Sequence, residues 1–98
     1  MNSKLKNENT DCFYRAVLGL KSVEECYAFF EDICTISEIQ AMTQRFYVAR
    51  LLSAGKTYQE ISSLTGASTA TISRINKCIE YGADGYKTAL GRLDNDIS

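Results

Sequence analysis

The stretch Lys56-Thr-Tyr-Gln-Glu-Ile-Ser-Ser-Leu-Thr-Gly-Ala-Ser-Thr-Ala-Thr-Ile-Ser-Arg-Ile-Asn-Lys-Cys78 decides the fold. Thr57 followed by Glu60 is a capping box, so a first helix starts there and runs to about Thr65. Its inward positions are Ile61 and Leu64, at helical spacing. Gly66 can take the left-handed conformation that ends a helix without a Cβ clash. Ser68 or Thr69 caps a second helix, which carries Ile72, Ile75 and Ile79 on one stripe. Its opposite face presents Ser68, Thr69, Ala70, Ser73, Arg74 and Lys77, all small, hydroxylated or basic. A helix-turn-helix over residues 56–78 needs this division: one face packs down, and the other enters a major groove unobstructed. The bland alternative is a helical hairpin whose small polar face meets only water. The spacing of Ile61, Gly66, Ala67, Ile72 and Ile75 favours the helix-turn-helix, because it fixes a crossing of two helices and not mere amphipathicity.

Working outward, the 98 residues are 45% apolar and contain no proline, which predicts one small all-α domain covering 1–98. So short a chain of short helices gains from oligomerisation. Charges interrupt every apolar stretch before it reaches the length of a membrane span, so no membrane partner is expected. The polar first residues lack the apolar core of a signal peptide, and a cytoplasmic protein is expected. Cys12, Cys26, Cys34 and Cys78 form no Cys-x-x-Cys pair, and the chain has no histidine. Buried free thiols are expected, with no metal and no cofactor.

The net charge of −1 does not advertise nucleic acid, but its distribution does. Residues 1–43 hold four basic and seven acidic side chains. Residues 44–78 hold Arg45, Arg50, Lys56, Arg74 and Lys77 against Glu60 alone. The positive block coincides with the helix-turn-helix and the helix before it, where phosphates would be met.

Upstream, residues 1–9 read as a flexible arm, and Thr10 or Asp11 as the cap of a helix bearing Phe13, Tyr14, Val17 and Leu18, ended by Gly19. Ser22 and Glu25 open a second helix with Val23, Cys26, Tyr27, Phe29, Phe30 and Ile33. That apolar stripe is too wide for one face of a small monomer, and a partner subunit is its natural cover. Thr35 and Glu38 form a third box, launching a long helix through Ile39, Met42, Phe46, Ala49 and Leu52 to Gly55. Its other face offers Gln40, Gln44, Arg45 and Arg50. Gly82 stops the second motif helix, and Asp84 is placed to cap a last one with Tyr86, Ala89, Leu90 and Leu93. Residues 94–98 read as a polar tail.

The run Gly66-Ala-Ser-Thr-Ala-Thr-Ile-Ser-Arg74, after a long helix ending in Leu51-Leu52, resembles the reading head of bacterial tryptophan repressors. Those repressors are an established example of helix-turn-helix docking. The continuation Asn76-Lys-Cys-Ile-Glu-Tyr-Gly82 is similar to the tryptophan-repressor-related regulators of the YerC/YecD type. The resemblance is strong over about residues 35–82 and loose before them. It implies a six-helix subunit in an intertwined homodimer with exchanged N-terminal helices. One departure bears on control. In tryptophan repressors a glycine follows the recognition-helix arginine and leaves room for the indole; here Ile75 stands there. Cys78 replaces the family's hydroxyl near the ligand amine. The corepressor pocket at Arg74, Ile75 and Cys78 is therefore expected to be occluded, with no tryptophan bound.

The expected function is a dimeric, sequence-specific DNA-binding transcriptional regulator, a repressor, on a pseudo-palindromic operator. Ser68, Thr69, Ala70 and Ser73 would read bases; Arg45, Lys56, Thr71, Arg74 and Lys77 would meet phosphates. Arg74 has a second reading, stacked on its own subunit. The competing function is a protein-interaction adaptor with a degenerate helix-turn-helix, kept open by the mildly acidic chain. Catalysis is not expected: there is no histidine base, no phosphate loop and no carboxylate constellation.

Overall fold

The computed structural model describes residues 3–97, and of residues 94–97 the backbone only. It contains six helices: α1 (Glu8–Leu18), α2 (Val23–Ile33), α3 (Ile36–Ser53), α4 (Tyr58–Thr65), α5 (Thr69–Tyr81) and α6 (Gly85–Ile97). No strand occurs among the described residues, and no described helix is long and apolar enough to cross a membrane.

Side-chain caps account for most of the helix starts. The Ser22 side chain accepts the Glu25 N–H at 3.1 Å, and the Glu25 carboxylate reaches back to the Lys21 N–H at 3.0 Å. At α3 the box is reciprocal: Glu38 accepts the Thr35 N–H at 2.8 Å, and Thr35 Oγ1 accepts the Glu38 N–H at 3.2 Å. Hydrogen bonding to the carboxylate from the Thr35 backbone N–H, and from its side chain, holds the Glu38 carboxyl below its ordinary pKa. The α3 C-terminus closes in a Schellman arrangement. Lys56 N–H donates to the Leu51 carbonyl and Gly55 N–H to the Leu52 carbonyl, with Gly55 at φ 83°.

Both ends of the chain are more helical than the sequence suggested. The cap expected at Thr10 or Asp11 lies earlier, at Asn7, whose side chain accepts the Thr10 N–H at 2.8 Å. Glu8 and Asn9, assigned to the arm of residues 1–9, are therefore in α1. The reason is that asparagine caps as well as any residue, and an acidic first turn (Glu8, Asp11) suits the helix dipole. The polar tail placed at 94–98 is also shorter, because α6 continues to Ile97. Asp84, directly before α6, has a left-handed φ of 66°, and its carboxylate pairs with Lys87 at 3.8 Å.

The chain divides into two compact units at the bond between Ile39 and Gln40. In the first, Phe13 stacks on Phe29 with ring centroids 5.8 Å apart, and Phe29 meets Phe30 edge-on at 5.3 Å. Neither α1 nor α2 has a buried residue; Val23 and Tyr27 are each 67% exposed. The second unit holds the core: Val48, Ala49, Ile61, Ala67, Ile72, Ile75 and Leu90. Phe46, Leu51, Leu52, Ile79 and Tyr86 pack against it. Burial of adjacent Val48 and Ala49 means that α3 is covered on more than one side, so its contacts spread beyond the single stripe read from sequence.

Two expectations need correction. Leu64, read as an inward residue of α4, is 56% exposed. A helix of eight residues needs only Ile61 and the following Ala67 to seal against the core. The thiols are not buried either: Cys12, Cys26 and Cys78 are exposed and Cys34 is intermediate, all four free. Cys78 sits one position from the Ile72–Ile75–Ile79 stripe, about 100° round the helix.

Candidate nucleic-acid interface

The α4–turn–α5 segment is built by its own small polar side chains. Thr57 Oγ1 accepts the Glu60 N–H at 3.2 Å and starts α4. Gly66 ends it at φ 77°, its N–H donating to the Ser62 carbonyl at 2.9 Å. A side chain at this φ would be strained. The turn is then fastened by hydroxyls. Ser62 Oγ donates to the Ala67 carbonyl at 2.9 Å; Thr65 Oγ1 donates to the Ile61 carbonyl at 2.8 Å and accepts the Ala67 N–H at 3.1 Å. Ala67 is buried beneath this lattice. From α3, Gln44 Nε2 donates to the Thr65 carbonyl at 3.1 Å.

Ser68 caps α5, accepting the Thr71 N–H at 3.2 Å and bonding Thr71 Oγ1 at 3.1 Å. Ile72 and Ile75 anchor the helix to the core. At the other end Gly82 closes α5 with its N–H on the Cys78 carbonyl. A Cβ there would collide with that carbonyl, which explains a glycine at this position.

Of the proposed base readers, Ser68, Thr69 and Ala70 are exposed on the first turn of α5, and Ser73, one turn on, is half-buried. The Ser68 hydroxyl already serves as the cap, so Thr69 carries the first-turn hydroxyl with least structural duty. Of the proposed phosphate contacts, Arg74 and Lys77 are exposed on α5, and Arg45 and Lys56 are exposed on and after α3. Lys56 approaches Glu60 to 4.0 Å, an exposed pair of small energetic weight. Thr71 is half-buried beside Ser68. Arg45 also acts on Tyr86 of α6: burial raises the Tyr86 hydroxyl pKa, Cys78 adds to the rise and the Arg45 cation opposes it. The proposed occluded pocket is mixed in character. Ile75 is buried at 5% exposure, whereas Arg74 and Cys78, on either side, are exposed.

Sequence reasoning placed Gln40, Gln44 and Arg50 merely on an outer face of α3. They line an open groove of about 540 Å³ with Tyr47, Leu64 and Thr65. The Arg50 guanidinium lies 5.2 Å from the Tyr47 ring centroid, over its face. The i, i+3 spacing of Tyr47 and Arg50 was a readable signal for this contact.

Six helices with a capped helix–turn–helix on the fourth and fifth, and a small, hydroxylated face on the fifth, define the reading head of a helix-turn-helix protein. Residues 8–94 match the Trp repressor protein family. The chain belongs to that family, a regulatory DNA-binding one. It is 52% identical over 90 residues to the uncharacterized protein YerC of Bacillus subtilis strain 168, spanning 92% of this chain and 86% of that one. The fold is similar to a TrpR-like protein from Eubacterium eligens, with a TM-score of 0.91 and 49% identity over 95% of this chain and 96% of that one.

Proposed function

We propose that the protein is a cytoplasmic, dimeric, sequence-specific DNA-binding regulator, a repressor that works without tryptophan. The observation that carries this reading is the first turn of α5: Thr69 and Ala70 exposed, with Ser73 behind them and Arg74 and Lys77 on the flank. No acidic residue lies in that turn to repel phosphate. Small side chains let the helix approach base edges, where hydroxyls donate or accept and methyl groups meet thymine. Lys77 and Arg45 supply sequence-independent attraction that fixes register.

The test is selection of bound fragments from random DNA by the purified protein, followed by two variants on the selected site. Thr69→Ala loses discrimination at particular base pairs, by about 1–3 kcal/mol. Lys77→Ala weakens binding to all sequences alike and flattens the salt slope by about one unit. Wild-type binding curves from both variants would refute the assignment. Failure of the wild type to bind duplex in a salt-dependent way would instead favour the adaptor reading.

Dimerisation is argued from α2. Val23, Tyr27 and Ile33 are exposed on a helix whose unit has no buried residue among those described, and such apolar surface is normally covered. Equilibrium sedimentation at micromolar concentration should give twice the mass of the chain; a stable monomer would sink the proposal. The two recognition helices would then read half-sites about one DNA turn apart, in a pseudo-palindrome.

A further inference from the structure

The reading head has one side-chain hydrogen bond of a different kind from the rest. Within residues 57–80 the side-chain bonds join positions five or fewer apart and shape turns and caps. Gln44 Nε2 to the Thr65 carbonyl spans 21 positions and is part-buried. The acceptor is the last residue of α4, directly before left-handed Gly66. Carbonyls of a last helical turn have no partner within the helix. An α3 side chain therefore satisfies this one, at the point where the chain turns towards α5.

We infer that Gln44 is a positioning residue for DNA recognition: it ties the α4–α5 turn to α3 and so sets the angle at which α5 is presented. This rests on the regulator reading above. The apolar core under the motif fixes how deeply α4 and α5 sit, through Ile61, Ala67 and Ile72. Apolar contacts are non-directional and tolerate small rotations. A hydrogen bond weakens steeply with angle, so the Gln44 amide supplies the directional restraint that the core lacks. The hydroxyl lattice of Ser62 and Thr65 makes the turn itself stiff, since it fastens Ile61, Thr65 and Ala67 to one another. Holding the Thr65 carbonyl thus holds the turn as a unit, and Ser68, the α5 cap, follows three residues later. Hydrogen bonds to base edges demand that geometry, whereas binding to random duplex is governed by the charge presented to phosphates.

The experiment compares wild type with Gln44→Met, which keeps the length and removes the donor, and Gln44→Glu, which sets an acceptor against the carbonyl. Circular dichroism first establishes that each is folded at the assay temperature. Both variants should bind the selected site roughly tenfold more weakly, equivalent to about 1.4 kcal/mol, while in Gln44→Met, which leaves the charge unaltered, affinity for random duplex and the salt slope stay unchanged. In nitrogen-15 spectra the Gly66 and Ala67 amides should shift and exchange faster. Wild-type affinity in both variants, or an equal loss on both DNAs in Gln44→Met, overturns the inference. If the wild type binds no duplex at all, the regulator reading fails by itself. The tether is then judged by the Gly66 and Ala67 amides, whose unchanged shifts and exchange in Gln44→Met would overturn it.

Discussion

Replacing Ile72 by alanine should lower the stability of the fold by about 2–5 kcal/mol. Ile72 is 0% exposed and lies among the buried residues that form the core, so the deleted carbons leave a void that neighbours cannot readily fill. The loss has two parts: transfer of the removed atoms to water, and the cavity left behind. Against the roughly 5–15 kcal/mol that holds a domain together, this is a large fraction. Denaturant unfolding at fixed protein concentration should show a lower midpoint with an unchanged slope. Leu64→Ala is the control: at 56% exposure it should change stability far less. An Ile72→Ala variant within about 1 kcal/mol of wild type would mean that the site collapses around the smaller side chain.

That contrast between Ile72 and Leu64 also marks what was legible in the sequence. Ile61, Ile72 and Ile75 could be read as buried because helical periodicity and Gly66 agree on the same face. Ser22, Thr35, Thr57 and Ser68 were readable as caps, since each hydroxyl stands three residues before the N–H that it accepts. Asn7 was missed because the apolar pattern begins only at Phe13, which made a polar first helical turn look like an arm. Leu64 was misplaced because periodicity gives the angle of a side chain but not how far the neighbouring helix extends over it. Cysteine burial failed for a related reason. A thiol beside an apolar stripe is buried only if something covers that flank, and α1 and α2, which carry Cys12 and Cys26, have no buried residue. The role of Gln44 was beyond sequence reading, because its acceptor is a backbone carbonyl 21 positions away.

Ile75 supports the second large effect, and with it the expectation that tryptophan does not control this protein. In tryptophan repressors, which the reading head resembles, a glycine after the recognition-helix arginine opens the slot for the indole. Here a branched four-carbon side chain stands after Arg74, with its χ1 restricted by the helix backbone and only 5% of its surface exposed. It belongs to the core cluster with Val48, Ala49 and Ile72. Ile75→Ala should therefore destabilise the fold by about 2–5 kcal/mol, read from the unfolding midpoint. A ligand that displaced the Ile75 side chain from the wild type would have to offset a loss of similar size. Calorimetry with millimolar L-tryptophan should show no binding, and affinity for the selected DNA site should not change on its addition. With the recognition helix backed by its own isoleucine, DNA binding would be constitutive. A tryptophan-dependent gain of about tenfold in DNA affinity, equivalent to about 1.4 kcal/mol of coupling, would show that a pocket opens despite Ile75.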